Sequence, residues 1–133
     1  MIIYKLRLRR LVRRRRPRKQ TGKREYQKHK EAARALVHAR LEHFNQHYGF
    51  AYNSVAIRNQ RTRWGSCSAK HNLNFNYRIV FLPLALQDYL IVHELCHLQE
   101  FNHSAKFWAL VAETTPDYRA LRQALRAGGA LLR

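Results

Sequence analysis

A chain of 133 residues is long enough for one compact domain and too short for two full ones. Its 26 lysines and arginines against 8 acidic residues give a formal charge of +18, which favours anionic partners such as nucleic acid, ribosomes or acidic lipid headgroups. With no apolar run of about 18 residues and only two cysteines, we expect no transmembrane helix, no disulfide framework and a reducing, cytoplasmic compartment.

Residues 1–22 are predicted to form a basic N-terminal arm. Residues 4–8 alternate apolar and basic side chains, which suits a short strand, and the dense like charge that follows favours a flexible or extended chain. Residues 1–30 contain 14 of the 26 basic residues and one acid, Glu25. Two interpretations stay open, a solvated tail and a nucleic-acid-binding segment. The candidate nucleic-acid contacts are Arg13, Arg14, Arg15, Arg16, Arg18 and Lys19.

Residues 23–133 are predicted to form the folded domain, which begins with a helix and strands. Apolar residues at three-, four- and seven-residue steps indicate a long helix from Lys23 to His47, stopped near Gly49. A strand is predicted at residues 54–59 and a loop at residues 60–72. Residues 73–80 are predicted to form the clearest strand in the chain, because apolar and polar side chains alternate from Leu73 to Ile79.

Helical patterns fill the rest of the domain. One helix follows Pro83, a second is capped by Ser104, and a last one opens at Thr115-Pro116 and ends at Gly128. A helix, two or three strands and further helices, in that order, predict an α+β fold with a small sheet.

The segment HELCHLQEFNH, residues 93–103, concentrates residue types that bind metals. His93 and His97 are four residues apart, about 40° around a helix and about 6 Å along it, so both imidazoles can reach one metal ion. Glu94 follows the first histidine, where a carboxylate can lie beside the metal without binding it. This H-E-x-x-H pattern provides two zinc ligands and a general base.

A catalytic zinc needs a third protein ligand and one open position. Glu100 would lie about 10 Å along a straight helix from His93, too far to share its metal. His103 is the better candidate, because Asn102 tolerates the left-handed conformation that would turn the chain back toward the metal. Cys96 is interpreted as a buried structural thiol rather than a fourth ligand.

Together these residues predict one catalytic Zn2+ and hydrolysis of a peptide bond by a zinc-bound water. The metal would lower the pKa of the water and polarise a carbonyl, while Glu94 would take the water proton and pass it to the leaving amine. Asn74 and Asn76 lie on the strand before the helix. They are interpreted either as lining the substrate cleft or as the solvated face of an edge strand.

Four stretches, RNQRTRWGSCS, LNFNYRIVFLP, DYLIVHELCHLQEFNHSAKFW and PDYRALRQAL, resemble the YgjP-like metallopeptidases, relatives of the SprT-like zinc proteases. The resemblance implies a zincin-like fold whose short mixed sheet packs on the active-site helix. It also implies zinc bound by His93, His97 and His103, with Glu94 catalytic. Trp64, in the RWGSCS hallmark, is a core anchor or a substrate contact. Longer family members carry a larger N-terminal β region, which the basic arm replaces here.

Three functions follow from these features. The first is a zinc peptidase that acts on protein or peptide substrates, some of them near nucleic acid. The second is a metal-dependent nucleotide phosphohydrolase, although a single zinc held by three histidines lacks the carboxylate-rich site usual for that chemistry. The third is a basic nucleic-acid-binding module with a structural zinc, which would have no need of Glu94. The oligomeric state has no signal in the sequence.

Overall fold

The computed structural model describes residues 19–128, with side chains from residue 22 onward. The helices and strands, in chain order, are α1 (Lys19–Tyr48), β1 (Ser54–Arg58), β2 (Gly65–Cys67), β3 (Asn72–Asn76), a 3-10 helix (Tyr77–Phe81), α2 (Leu84–Cys96), α3 (Ala105–Ala112) and α4 (Tyr118–Ala127). The predicted α+β class is confirmed. None of the helices in this part of the chain combines the length and apolar composition needed to cross a bilayer.

Most of the predicted basic arm falls outside the described residues. This applies to the predicted strand at residues 4–8 and to the candidate nucleic-acid contacts Arg13, Arg14, Arg15, Arg16 and Arg18. Lys19 is the first residue of α1, which therefore begins four residues before the predicted start at Lys23. The helix ends at Tyr48, and Gly49 adopts a φ of +66°, a left-handed conformation that stops it as predicted.

A three-stranded mixed sheet has the order β1-β3-β2. β1 is parallel to β3, and β2 is antiparallel to it, with Gly65 opposite Phe75. The prediction of a loop over residues 60–72 is wrong at β2, because three residues are too few to show an alternating pattern. The central position of β3 also corrects the edge-strand interpretation of Asn74 and Asn76.

The strand predicted at residues 73–80 is correct only in its first half. β3 ends at Asn76, and the side-chain oxygen of this residue accepts a hydrogen bond from the backbone N–H of Arg78 at 3.0 Å. An asparagine that bonds its own backbone two residues on starts a turn in place of strand pairing. The 3-10 helix that follows buries Tyr77, Arg78 and Ile79, so burial no longer alternates where the strand has ended.

The hydrophobic core lies between α1, the sheet and α2. All residues from Tyr89 to Leu98 are buried, so α2 is enclosed on every side near its C-terminal end. Arg40 of α1 donates two hydrogen bonds to the carboxylate of Asp88 in α2, at 2.7 and 2.9 Å. The fully buried apolar side chains that α1, β3 and α2 contribute to this core include Ala33, Val37, Leu41, Leu73, Phe75, Leu90, Ile91 and Leu95.

The two C-terminal helices cover α2. Ser104 caps α3 as predicted, because its hydroxyl accepts a hydrogen bond from the backbone N–H of Phe107 at 3.4 Å. α4 begins at Tyr118 rather than at Thr115-Pro116, since Pro116 lies in the turn that precedes the helix. The cysteine of α2, Cys96, is a free thiol buried in a small core cluster with residues of α3, as its interpretation predicted.

Candidate metal centre

The end of α2 and the turn after it carry all three candidate histidines. α2 ends at Cys96, and His97 is its C-cap with helical backbone angles of −66° and −16°. The backbone N–H groups of Gln99 and Glu100 both donate to the carbonyl of Cys96, at 3.1 and 3.0 Å. This tight turn reverses the chain directly after the helix and carries it back toward His93.

Two details of the predicted turn are wrong. Asn102 is not left-handed, because positive φ values within residues 19–128 occur only at Gly49 and His71. Glu100 lies beyond the end of the helix, so helix rise does not set its distance from His93. The tight hydrogen-bonded turn, rather than a left-handed residue, reverses the chain.

The three histidines converge on one point. The Nε2 atom of His97 lies 3.0 Å from that of His93 and 3.1 Å from that of His103, and the remaining Nε2–Nε2 distance is 3.2 Å. A tetrahedral zinc with Zn–N bonds of about 2.0–2.1 Å holds its ligand nitrogens about 3.3–3.4 Å apart. The three imidazoles therefore fit a single metal ion with a slight expansion, and they form a group that can hold one.

Hydrogen bonds on the far side of two imidazoles set their orientation. The Nδ1 atom of His97 lies 2.9 Å from the carbonyl oxygen of Glu100, which can only accept, so Nδ1 carries the proton and Nε2 keeps a lone pair. The Nδ1 atom of His93 lies 3.3 Å from the hydroxyl of Tyr89. Sequence reasoning missed both partners. Tyr89, four residues before His93, was detectable from helical spacing, whereas a backbone carbonyl leaves no side-chain signal.

Aromatic side chains of α3 form a wall around the histidines. Phe107 stacks on His97 with ring centres 4.2 Å apart and an interplanar angle of 12°. Trp108 stacks on His103 at 5.7 Å and 23°. These contacts fix the rings and exclude water from one side of the group. Their only signal in the sequence is the apolar face of α3.

Glu94 follows His93 in the chain and is fully buried. Neither of its carboxylate oxygens has a hydrogen-bond partner in the described part of the chain, and burial raises the pKa of the carboxyl well above its usual value. A buried carboxyl without a partner is costly in a folded protein, so it marks a place for a ligand, an ion or water. Three convergent imidazoles are a donor set for a divalent cation, and the residues present therefore fit a metal.

The histidines are held in their neutral form. Burial lowers the pKa of His93 well below its usual value, and the charges of His97 and His103 lower it further. Burial also lowers the pKa of His97 to about 3. For His103 the pKa is lowered by burial and by the charges of Arg122 and Arg126. Neutral imidazole is the metal-binding form, so this environment favours metal over protons at neutral pH.

The structure groups none of the candidate substrate residues with the histidines. Asn74 accepts a hydrogen bond from Arg58 Nε and donates one to Ser66 Oγ, both at 3.2 Å. By strand alternation its side chain points to the face opposite that of Phe75.

The other two candidates are buried in contacts with the chain itself. The side-chain amide of Asn76 donates to the carbonyl oxygens of Gln60 and Arg63, the latter at 3.0 Å, and this residue is 1% exposed. Trp64 is fully buried in the main core, and its indole N–H has no hydrogen-bond partner among the described residues.

The family model described as the YgjP-like metallopeptidase domain matches residues 3–128, so the chain belongs to the YgjP-like metallopeptidase family. The resemblance inferred from the four sequence stretches is confirmed. The match also extends through most of the predicted arm.

One solved structure supports the fold independently. The chain is similar to the crystal structure of the metallopeptidase zymogen abylysin from Pyrococcus abyssi, with a TM-score of 0.61 and 21% identity. The similarity covers 69% of this chain and 93% of the abylysin chain, and at this identity it shows the fold alone. No curated protein sequence matches the chain significantly.

Proposed function

We propose that this chain is a zinc-dependent peptidase in which His93, His97 and His103 bind one Zn2+ and Glu94 acts as general base. One observation carries the proposal: three imidazole nitrogens converge on one point, and Glu94, the residue after the first of these histidines, is fully buried with no partner for its carboxyl among the described residues. A structural zinc site closes its tetrahedron with four protein ligands, whereas a catalytic site uses three and keeps one position open. Three histidines and an uncommitted acid match the catalytic kind.

When bound, zinc supplies a Lewis acid that lowers the pKa of water and polarises a carbonyl. Glu94 accepts a proton from the attacking water as the water oxygen bonds to the carbonyl carbon of the peptide. It then donates that proton to the leaving nitrogen as the C–N bond breaks, and it returns to its ionised form. Burial raises the pKa of Glu94, which makes the carboxylate a strong proton acceptor, and an adjacent cation would keep it ionised.

A substrate comparison tests this proposal. The zinc-loaded full chain is expected to cleave an unfolded protein, to lose the activity when a chelator removes the metal, and to regain it when zinc is restored. The same preparation is expected to release no phosphate or pyrophosphate from nucleotides, because the centre lacks a carboxylate-rich, two-metal arrangement. Zinc-dependent nucleotide hydrolysis without protein cleavage would contradict the peptidase proposal and favour a phosphohydrolase.

We also propose that the basic arm tethers the peptidase to nucleic acid. Residues 1–18 contain nine lysines and arginines and no acid, a composition that favours salt-dependent binding to polyanions. Because α1 begins at Lys19, deletion of residues 1–18 removes none of the described elements. The deletion is expected to abolish salt-dependent nucleic-acid binding and to leave hydrolysis of a free peptide unchanged. Equal nucleic-acid binding by the two chains would show that the arm is a solvated tail.

A further inference from the structure

The helix α4 carries Arg122 and Arg126 one turn apart, and Arg122 packs against an aromatic ring beside the metal centre. Tyr118 and Arg122 are four residues apart and share one face of the helix. Both contact Trp108 of α3: the ring of Tyr118 stacks on it at 4.9 Å and 14°, and the guanidinium carbon of Arg122 lies 5.1 Å from its ring centre. Trp108 therefore supports the half-buried guanidinium of Arg122 through a cation–π contact.

Trp108 also connects Arg122 to the candidate metal ligands. The same ring stacks on His103 at 5.7 Å and lies 6.0 Å from the ring of His93. A single aromatic ring thus contacts two of the three histidines and the guanidinium.

No carboxylate neutralises these arginines in the part of the chain that the structure describes. The ion pairs there join other residues: Glu25 with His29, Glu31 with Arg34, and Asp88 with Arg40. A bound divalent cation would add positive charge to a centre whose single buried acid is Glu94. Such an excess of positive charge attracts an anion, and a guanidinium supported by an aromatic ring can pair a carboxylate through two parallel hydrogen bonds.

We propose that Arg122 forms a carboxylate-binding subsite beside the metal centre and holds an acidic group of the peptide substrate. The carboxylate is that of an acidic side chain or that of the peptide's C-terminus. This inference rests on the proposed function, because it names the substrate feature that the same site selects. Arg122 is a specificity-determining residue in this account, and Glu94 remains the general base.

Equilibrium binding tests the subsite without requiring turnover. The protein is the full chain loaded with zinc and carrying Glu94→Gln, so that bound peptides are not consumed. The probes are fluorescein-labelled unstructured peptides that share one sequence. In the first set, the peptide has an amidated C-terminus and a single glutamate whose position is moved stepwise along the sequence. The second set, the neutral reference, has glutamine in place of that glutamate. The third set has glutamine and a free C-terminal carboxylate. Fluorescence anisotropy gives the affinity of each.

We expect at least one carboxylate-bearing peptide to bind about tenfold more tightly than its neutral counterpart, the gain of about one charge-assisted pair. The set that shows the preference identifies the source of the carboxylate. Arg122→Gln should reduce this preference to less than about twofold, and Arg122→Lys should keep part of it because the charge remains.

The matched control is Arg119→Gln. Arg119 lies on the same helix and its guanidinium also lies over an aromatic ring, 5.6 Å from the centre of Tyr118, but its charge does not contribute to the pKa shifts of the three histidines. Arg119→Gln should keep the full preference, with thermal unfolding by circular dichroism showing that all variants are folded. The absence of any preference in the parent protein overturns the subsite. So does an equal loss in Arg119→Gln, or an Arg122→Gln variant that keeps the tenfold preference because its affinity for neutral and carboxylate-bearing peptides falls by the same factor.

A separate measurement distinguishes failure of the subsite from failure of the proposed function. The zinc-loaded wild-type chain is incubated with the same peptides, and cleavage is followed by mass spectrometry. A carboxylate preference in binding with no hydrolysis of any peptide would overturn the peptidase proposal and uphold the subsite. If the peptides are cleaved but neither their binding nor their hydrolysis depends on the carboxylate, the subsite is overturned and the peptidase proposal is upheld.

Discussion

Gly65 of β2 lies directly against Glu94 of α2. A methyl group added at this glycine would be 3.1 Å from the Cγ atom of Glu94, 3.3 Å from its Cδ atom and 3.0 Å from the backbone oxygen of Asn74. The close approach needs a residue without a side chain, and it sets where the buried carboxyl can lie. β2 is thus a strand whose backbone forms one wall of the pocket around the proposed base.

Gly65→Ala is expected to lower the rate of peptide hydrolysis by about tenfold to a hundredfold, because the added methyl group must displace the Glu94 side chain. Zinc affinity should change little, since none of the three atoms nearest to the added methyl group belongs to a histidine. Gly22→Ala is the control, as a methyl group there meets nothing within 4 Å. Full activity in Gly65→Ala would show that the carboxyl tolerates movement and is not held by this contact.

Removal of His103 tests the third ligand. Loss of the residue that hydrogen-bonds the other ring nitrogen of a metal-binding histidine lowers metal affinity by about 10–100-fold, and loss of the ligand itself should lower it further. We therefore expect His103→Ala to weaken zinc binding by more than about a hundredfold in a competition titration against a chromogenic chelator. His43→Ala, an exposed histidine of α1, should bind zinc as the wild type does. Unchanged affinity in His103→Ala would remove this residue from the centre.

The paired hydrogen bonds between Arg40 and Asp88 should stabilise the contact of α1 with α2. The geometry is bidentate at 2.7 and 2.9 Å and both side chains are largely buried, so Asp88→Asn is expected to lower the free energy of unfolding by about 1–2 kcal/mol. Arg34→Gln, which breaks an exposed pair within α1, should change it by less than about 0.5 kcal/mol. Urea titrations of both variants measure the difference, and equal effects would contradict it.

Both cysteines should be unreactive in the folded protein. Burial raises the pKa values of Cys67 and Cys96 to about 12, whereas the pKa of a thiol in an unfolded chain is about 8.5. At pH 8 a chromogenic disulfide reagent should therefore label neither thiol in native protein and both in urea. The folded state holds these thiol protons more tightly than the unfolded state does. The thiols therefore contribute their full stabilisation of the fold below about pH 8.5, and this contribution declines as the pH rises toward 12. Rapid labelling of native protein would contradict this burial.

The features that could be read from the sequence are those that leave a local pattern. The long apolar stripe of α1 and the H-E-x-x-H spacing each depend on helical geometry, and the cap at Ser104 depends on a single side chain. The class of fold and the identity of the three histidines followed from these patterns.

The features that were missed depend on contacts between distant residues or on the backbone. β2 is too short for a pattern, and its role comes from what packs against Gly65. The side chain of Asn76, which starts the turn that ends β3, is also held by hydrogen bonds to a loop 13 to 16 residues earlier. Arg122 reaches the metal centre only because α4 packs on α2 and Trp108 lies between them. Local periodicity contains none of this information.

The hydrolysis rate of the zinc-loaded Glu94→Gln variant, measured beside the wild type with zinc content determined on both samples, tests the central proposal most directly. Glutamine keeps the shape of the side chain and cannot accept the proton, so zinc should be present at about one ion per chain in both proteins while hydrolysis falls by about a thousandfold or more. Equal hydrolysis by the two zinc-loaded proteins would contradict the assignment of Glu94 as the general base.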